Sequence, residues 1–252
     1  MTTQNLLNLN AIDPSWHACI KAGLKKMDPS YLADLTQSTE WLPGSEKIFN
    51  AFSIPITQVN YVLFGESPYP RAISANGYAF WDAAVGELWS PSGLSKPVNR
   101  ATSLRNILKM LLVAEGLLKP GQTSQPDITK INKQSLIQTN NEFFSQLLKK
   151  GFLLLNATPV LRPDEVRKDA LAWQPFIKHV IDFLIDHRPH IQFILLGNVA
   201  KTIDKFLINH PVKSLHAEHP YNISFIHNSA VIAFFSPLHL LQKKIAINPQ
   251  TS

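Results

Sequence analysis

The stretch Val59-Asn60-Tyr61-Val62-Leu63-Phe64-Gly65-Glu66-Ser67-Pro68-Tyr69-Pro70 decides the fold. Its first half is a short β-branched and aromatic run, the composition of a buried strand. Gly65 stops it, and a polar, proline-containing loop follows at once. The same pattern returns downstream. Phe152-Leu153-Leu154-Leu155 ends at Asn156, and Ile191-Gln192-Phe193-Ile194-Leu195-Leu196 ends at Gly197. A fourth strand is expected near Val212 to Ala217. Helical stripes lie between these runs. Leu104, Ile107, Leu108, Leu111 and Leu112 share one face of a helix that Thr102 or Ser103 would cap. Trp173, Phe176, Ile177, Val180, Ile181 and Leu184 share another, and a helix carrying Ile203, Phe206 and Leu207 follows. Strands alternating with helices predict an α/β fold in a single domain, with a central four-stranded, mostly parallel sheet flanked by helices.

That architecture also says where to look for chemistry, because open parallel sheets bind ligands at the carboxyl ends of their strands. Those ends are Gly65 to Pro70, Asn156 to Arg162, Gly197-Asn198 and His216 to Ser224, and each is a polar cluster.

Bulk properties narrow the setting. The 252 residues are 45% hydrophobic and 17% charged, enough to bury a full core. No apolar run reaches the ~18 residues of a membrane span. The start, Met1-Thr2-Thr3-Gln4-Asn5-Leu6, lacks the positive flank and apolar stretch of a secretion signal. The one cysteine, Cys19, excludes an internal disulfide and suits a reducing compartment, so a cytoplasmic protein is expected. The net charge of +6 fits either a phosphate-binding face or an ordinary solvated surface. The segment from Lys119 to Gln138 is polar and turn-rich and reads as a long surface loop.

Gly65-Glu66-Ser67-Pro68-Tyr69 begins like the nucleophile elbow of serine hydrolases. Tyr69 stands where that turn needs glycine, and Pro68 has no N–H to offer an oxyanion. The hydrolase reading is therefore set aside.

Taken together, the loops resemble those of family 1 uracil-DNA glycosylases. Gly65-Glu66-Ser67-Pro68-Tyr69-Pro70 resembles the Gly-Gln-Asp-Pro-Tyr-His water-activating loop, and Gly77-Tyr78-Ala79-Phe80 the Gly-Leu-Ala-Phe segment. Ala101-Thr102-Ser103-Leu104-Arg105-Asn106-Ile107 resembles the Pro-Pro-Ser-Leu-x-Asn-Ile phosphate loop. Gly151-Phe152-Leu153-Leu154-Leu155-Asn156 resembles Gly-Val-Leu-Leu-Leu-Asn, with Arg162 at the arginine that follows. His219-Pro220-Tyr221-Asn222-Ile223-Ser224 resembles the His-Pro-Ser-Pro-Leu-Ser minor-groove loop. The matches run in order from about Gly44 to Leu241.

The resemblance implies a base excision repair enzyme that flips uracil, or a related damaged base, out of DNA and hydrolyses its N-glycosidic bond. Phe80 would stack on the base and Asn156 would read its edge with donor and acceptor together. Tyr69 would exclude the thymine methyl group. His219 would hydrogen-bond O2 as charge grows on the departing base. Ile223 would wedge into the stack. Ser103, Ser224 and Arg162 would contact DNA. DNA is the implied partner of a monomer, with no membrane, no metal and no organic cofactor. Alone, each residue also has an ordinary reading: Phe80 as core, Asn156 as a turn cap, His219 as a surface histidine. Order and spacing favour the functional one.

One position departs from the pattern. Ser67 occupies the place of the catalytic aspartate, and a serine carries no charge to oppose an oxocarbenium-like sugar. Losing such a group lowers a rate by about 100- to 1000-fold. Another branch of the superfamily has Gly-Glu-Ala-Pro at this loop, so Glu66 is a candidate substitute carboxylate. The alternative is a polar Glu66 at the pocket mouth of a weak or inactive relative that acts as a DNA-binding or adaptor protein. The expected organisation is an N-terminal helical or irregular segment over 1–43, a glycosylase-like domain over 44–245 and a tail over 246–252.

Overall fold

The computed structural model describes residues 9, 11–38 and 40–243. The expected tail, and the beginning of the expected N-terminal segment, lie outside them. Four strands form the main sheet: β1 (Tyr61–Gly65), β4 (Phe152–Asn156), β5 (Gln192–Leu196) and β6 (Lys213–Ala217). All are parallel, in the order β4-β1-β5-β6. The register sets Gly65 directly beside Asn156. β2 (Trp89–Ser90) and β3 (Gly93–Leu94) make a small antiparallel ribbon that no alternation in the sequence announces, being two residues a side.

Side chains alternate across a strand, and the two resulting cores are distinct. Val62, Phe64, Leu153, Leu155, Phe193 and Leu195 face one layer. That layer contains α1 (His17–Leu24), α2 (Pro29–Gln37), α7 (Val166–Ala172), α8 (Gln174–His187) and α9 (Val199–Leu207). Leu63, Phe152, Leu154, Ile194 and Leu196 face the other, with α4 (Thr102–Ala114), α6 (Asn140–Lys149) and α10 (Ser229–Phe235). Trp16, Ile20, Tyr31 and Leu35 of the N-terminal region are buried in the first core, where α1 packs on α8. No helix of the described residues is long and apolar enough to cross a membrane.

Two local expectations are corrected. Neither Thr102 nor Ser103 caps α4, because both already lie inside its first turn. The chain enters α4 from α3 (Lys96–Arg100) through Ala101, which has no side chain able to bond the free amides. The loop from Lys119 to Gln138 contains a short helix, α5 (Gln125–Thr129). Ser124 and Asp127 start it by bonding each other's backbone N–H.

Candidate active site

The site is assembled where β1, β4, β5 and β6 end. Gly65 closes β1, and its lack of a side chain is required there. A Cβ at Gly65 would lie 2.5 Å from Asn156 Oδ1 and 2.8 Å from the Ala79 Cβ. The Asn156 amide therefore lies across the glycine. It is buried, and its side chain bonds no partner among the described residues. A buried amide left free in this way is equipped to bond a ligand.

Beyond the glycine, the loop's backbone is tied to the residues after β4. Ala157 N–H donates to Gly65 O at 2.9 Å and Thr158 N–H to Glu66 O at 3.0 Å. Pro68 is buried, whereas Glu66 is exposed and Ser67 half-buried. Burial pushes the Tyr69 phenol above its ordinary pKa, and the charge of Asp82 adds to this. The un-ionised hydroxyl donates to the carbonyl of Phe80 at 3.1 Å.

Phe80 is reached through a segment stitched to the outer edge of β4, where Ala79 N–H donates to Leu154 O at 3.0 Å. Its φ of +62° is left-handed, an unfavourable setting for a bulky side chain. The ring is 9% exposed and lies 5.8 Å, centroid to centroid, from the imidazole of His219. Trp81 and Trp89 belong to the core side of this segment. Trp81 stacks on Phe144 at 5.0 Å, and Trp89 bonds Ile137 O.

His219 follows β6. It packs so closely on Gly197 that a Cβ there would lie 2.7 Å from its own. Its Nδ1 accepts the Tyr221 N–H at 3.0 Å, which leaves the proton of the neutral ring on Nε2. Burial lowers its pKa below the ordinary 6.5, and the charge of Glu66 acts in the opposite direction. Glu66 is thus electrostatically coupled to the histidine.

Asn106, a buried amide inside an apolar helical stripe, holds the His219 loop. Its Nδ2 donates to Pro220 O at 2.7 Å and approaches the carbonyls of Tyr221 and Asn222 at 3.4 Å. Asn106 stands in the quoted phosphate-loop motif, but no role could be assigned to it from the sequence. Its signal was polarity on a buried helix face. Gly197 is expected from the sequence as a strand end, but its close packing against His219 is not.

Ile223 begins a short 3₁₀ turn and is 76% exposed, and Tyr221 is 68% exposed. Ser224 is exposed on the same turn and bonds Glu218. Ser103 lines a groove of about 580 Å³ together with Tyr69, Pro70, Arg71, Arg100 and Tyr221.

Arg162 departs from expectation. Its guanidinium bonds Asp34 at 2.9 Å, Glu165 at 2.9 Å and the fully buried Asp169. These three carboxylates engage most of its donors, and with Asp34 on α2 and Asp169 on α7 it braces the two helices against each other. Among the described residues no cluster of three or more histidine, cysteine or acidic side chains could hold a metal ion.

No protein-family model matches the chain. It is 30% identical over 184 residues to a uracil-DNA glycosylase of Fusobacterium nucleatum, covering 72% of this chain and 68% of that one. A uracil-DNA glycosylase of Streptococcus agalactiae is 30% identical over 218 residues, covering 83% and 84%. The crystal structure of wild-type UNG from Nitratifractor salsuginis superimposes with a TM-score of 0.89 at 37% identity, covering 96% of this chain and 97% of that one. The sheet order, the loops gathered at its carboxyl edge and these likenesses agree: the chain belongs to the uracil-DNA glycosylase family.

Proposed function

We propose that the protein excises uracil from DNA by hydrolysing the bond between uracil N1 and deoxyribose C1′. The observation that carries the reading is the convergence of Tyr69, Phe80, Asn156 and His219 on one end of the sheet. Phe80 offers a stacking face, and the unpartnered Asn156 amide reads uracil O4 and N3–H. Tyr69, its hydroxyl held by the Phe80 carbonyl, is the residue this reading sets against C5, where a thymine methyl group would meet its ring.

As the bond breaks, its electron pair leaves with the base, and negative charge collects at O2. Neutral His219 donates Nε2–H to that oxygen. The sugar becomes cationic, and the carboxylate of Glu66 opposes that charge from the position beside the missing aspartate. Water positioned by the Ser67 hydroxyl adds to C1′ and passes its proton to the Glu66 carboxylate, while the departing uracil anion takes up one proton from solvent, so the products are free uracil and an abasic sugar. Hydrolysis consumes only water, so the reading asks for no metal or organic cofactor. Ser103 and Ser224 contact phosphates, and Ile223 fills the space the flipped base vacates.

The test is release of abasic sites from an oligonucleotide containing deoxyuridine, beside the same strand containing thymidine. Release from the first only is expected. Asn156→Ala should abolish the discrimination without unfolding the chain, because its amide carries no structural bond. Equal inertness toward both strands, with no preference in binding, would overturn the reading.

A further inference from the structure

We infer that the groove between Tyr69 and Tyr221 is a subsite for the nucleotide adjoining the flipped deoxyuridine on the same strand, with Tyr221 stacking on its base. The inference rests on the proposed function and extends it along the substrate.

Three observations carry it. The first is continuity. Tyr69 lines the groove and its hydroxyl bonds the carbonyl of Phe80, the residue proposed to stack on the flipped base, and Ser103 lines the groove further along. A strand that delivers a base to Phe80 and Asn156 therefore continues into this space, which at about 580 Å³ has the size of a small-ligand site.

The second is charge. Arg71 and Arg100 both line the groove. Among the described residues Arg71 is hydrogen-bonded through Nη2, to Ser74 at 2.9 Å and to the buried Asp82 at 3.4 Å. Asp82 offsets its charge and fixes its position. The exposed Arg100 then carries the net positive charge offered to a phosphate.

The third is the state of Tyr221. An aromatic ring 68% exposed leaves unused the gain of packing it. Its backbone is nevertheless fixed, because its N–H donates to His219 Nδ1 and its carbonyl lies 3.4 Å from the Asn106 amide. A rigidly presented, unpacked ring is a stacking platform, the device with which proteins hold single-stranded bases. Serine stands at this place in the loop that this one resembles, and serine offers no such face.

The experiment uses single strands with 2-aminopurine on either side of a 2′-fluorinated deoxyuridine that resists hydrolysis. The full chain should quench the fluorophore on one side only. Tyr221→Ala keeps the backbone N–H that orients His219, so its effect is confined to the ring. It should remove the quenching and raise Kd roughly 5- to 150-fold, while Tyr221→Phe retains both. Arg100→Gln should keep the quenching and reduce the slope of log K against log salt by about 0.7, one phosphate's share on a single strand. If wild type prefers the uracil strand and Tyr221→Ala binds and quenches as wild type does, the groove is not this subsite. If wild type shows no preference for uracil, the proposed function falls and the subsite with it.

Discussion

The side-chain nitrogen of Asn106 donates to the carbonyl oxygen of Pro220 at 2.7 Å, joining positions 114 residues apart. One buried amide thereby couples the helix behind the phosphate loop to the loop that carries His219. Asn106→Ala leaves the carbonyl of buried Pro220 without that donor, a loss of about 1–3 kcal/mol. Denaturant unfolding should register this. Excision should fall by more than the stability change explains, because His219 loses its anchor while every pocket side chain remains. A variant with wild-type kcat would show that the loop holds its place unaided.

The carboxylate question is settled by charge, not size. Glu66→Gln preserves volume and hydrogen bonding, and it should slow excision by at least about 100-fold, or about 3 kcal/mol of transition-state stabilisation. Adding Ser67→Asp to that variant restores a carboxylate at the neighbouring position and should recover activity with DNA affinity nearly unchanged. Single-turnover rates beside equilibrium binding separate the two effects. Undiminished turnover in Glu66→Gln would remove Glu66 from the chemistry.

The His219 geometry implies a pH profile. Burial holds its pKa below the ordinary 6.5, partly offset by Glu66, and a proton on Nδ1 would break the Tyr221 bond. The neutral ring is the working form. The acid limb of kcat/KM should therefore have its midpoint below 6.5, since that parameter reports the free enzyme. The stability sign follows. The unfolded chain binds this proton first, so the histidine's contribution is intact above 6.5 and is lost as pH falls toward the folded pKa. Glu66→Gln removes an upward pull and should move the His219 ring resonances to titrate still lower. A midpoint above 6.5, or an upward move in the variant, contradicts this.

Arg162 should matter to folding rather than to DNA. Arg162→Met strands the fully buried Asp169, and breaking a buried pair in this way destabilises by about 3–5 kcal/mol. Urea unfolding checks the loss. The salt dependence of DNA binding should stay at its wild-type slope, where a phosphate contact would have reduced it.

Much of this was legible in the sequence. The four main strands begin within about two residues of their expected places; three are apolar runs ended by glycine or asparagine, and β6 is a mostly polar edge strand whose place follows from the alternation of strands and helices. Tyr69, Phe80, Asn156 and His219 are named together in the sequence because their motifs lie at or beyond the carboxyl ends of strands in a parallel sheet. The ion pairs of Arg162 are not legible there, because its partners Asp34 and Asp169 come from two helices and a sequence does not show which carboxylates converge. Asn106 and Gly197 stand in quoted motifs and strand ends, but their roles are not legible for a related reason: their work is done against Pro220 and His219, in contacts that only folding creates. The missing cap of α4 is a simpler case, in which one residue of phase turns a cap into a first-turn hydroxyl.

Gly65 has one more consequence. The shape of its loop depends on the glycine beneath the Asn156 amide, on buried Pro68, on Tyr69 bonded to Phe80 and on two backbone bonds from Ala157 and Thr158. The side chains of Glu66 and Ser67 add no hydrogen bond to that frame among the described residues, the first being exposed and the second half-buried. The loop is a fixed mount with an exchangeable reactive group. A lineage can move its carboxylate one residue along such a loop without altering the turn, its length or the reading of the base. The chemistry of the site is thus free to drift by single substitutions, while its specificity is inherited with the fold.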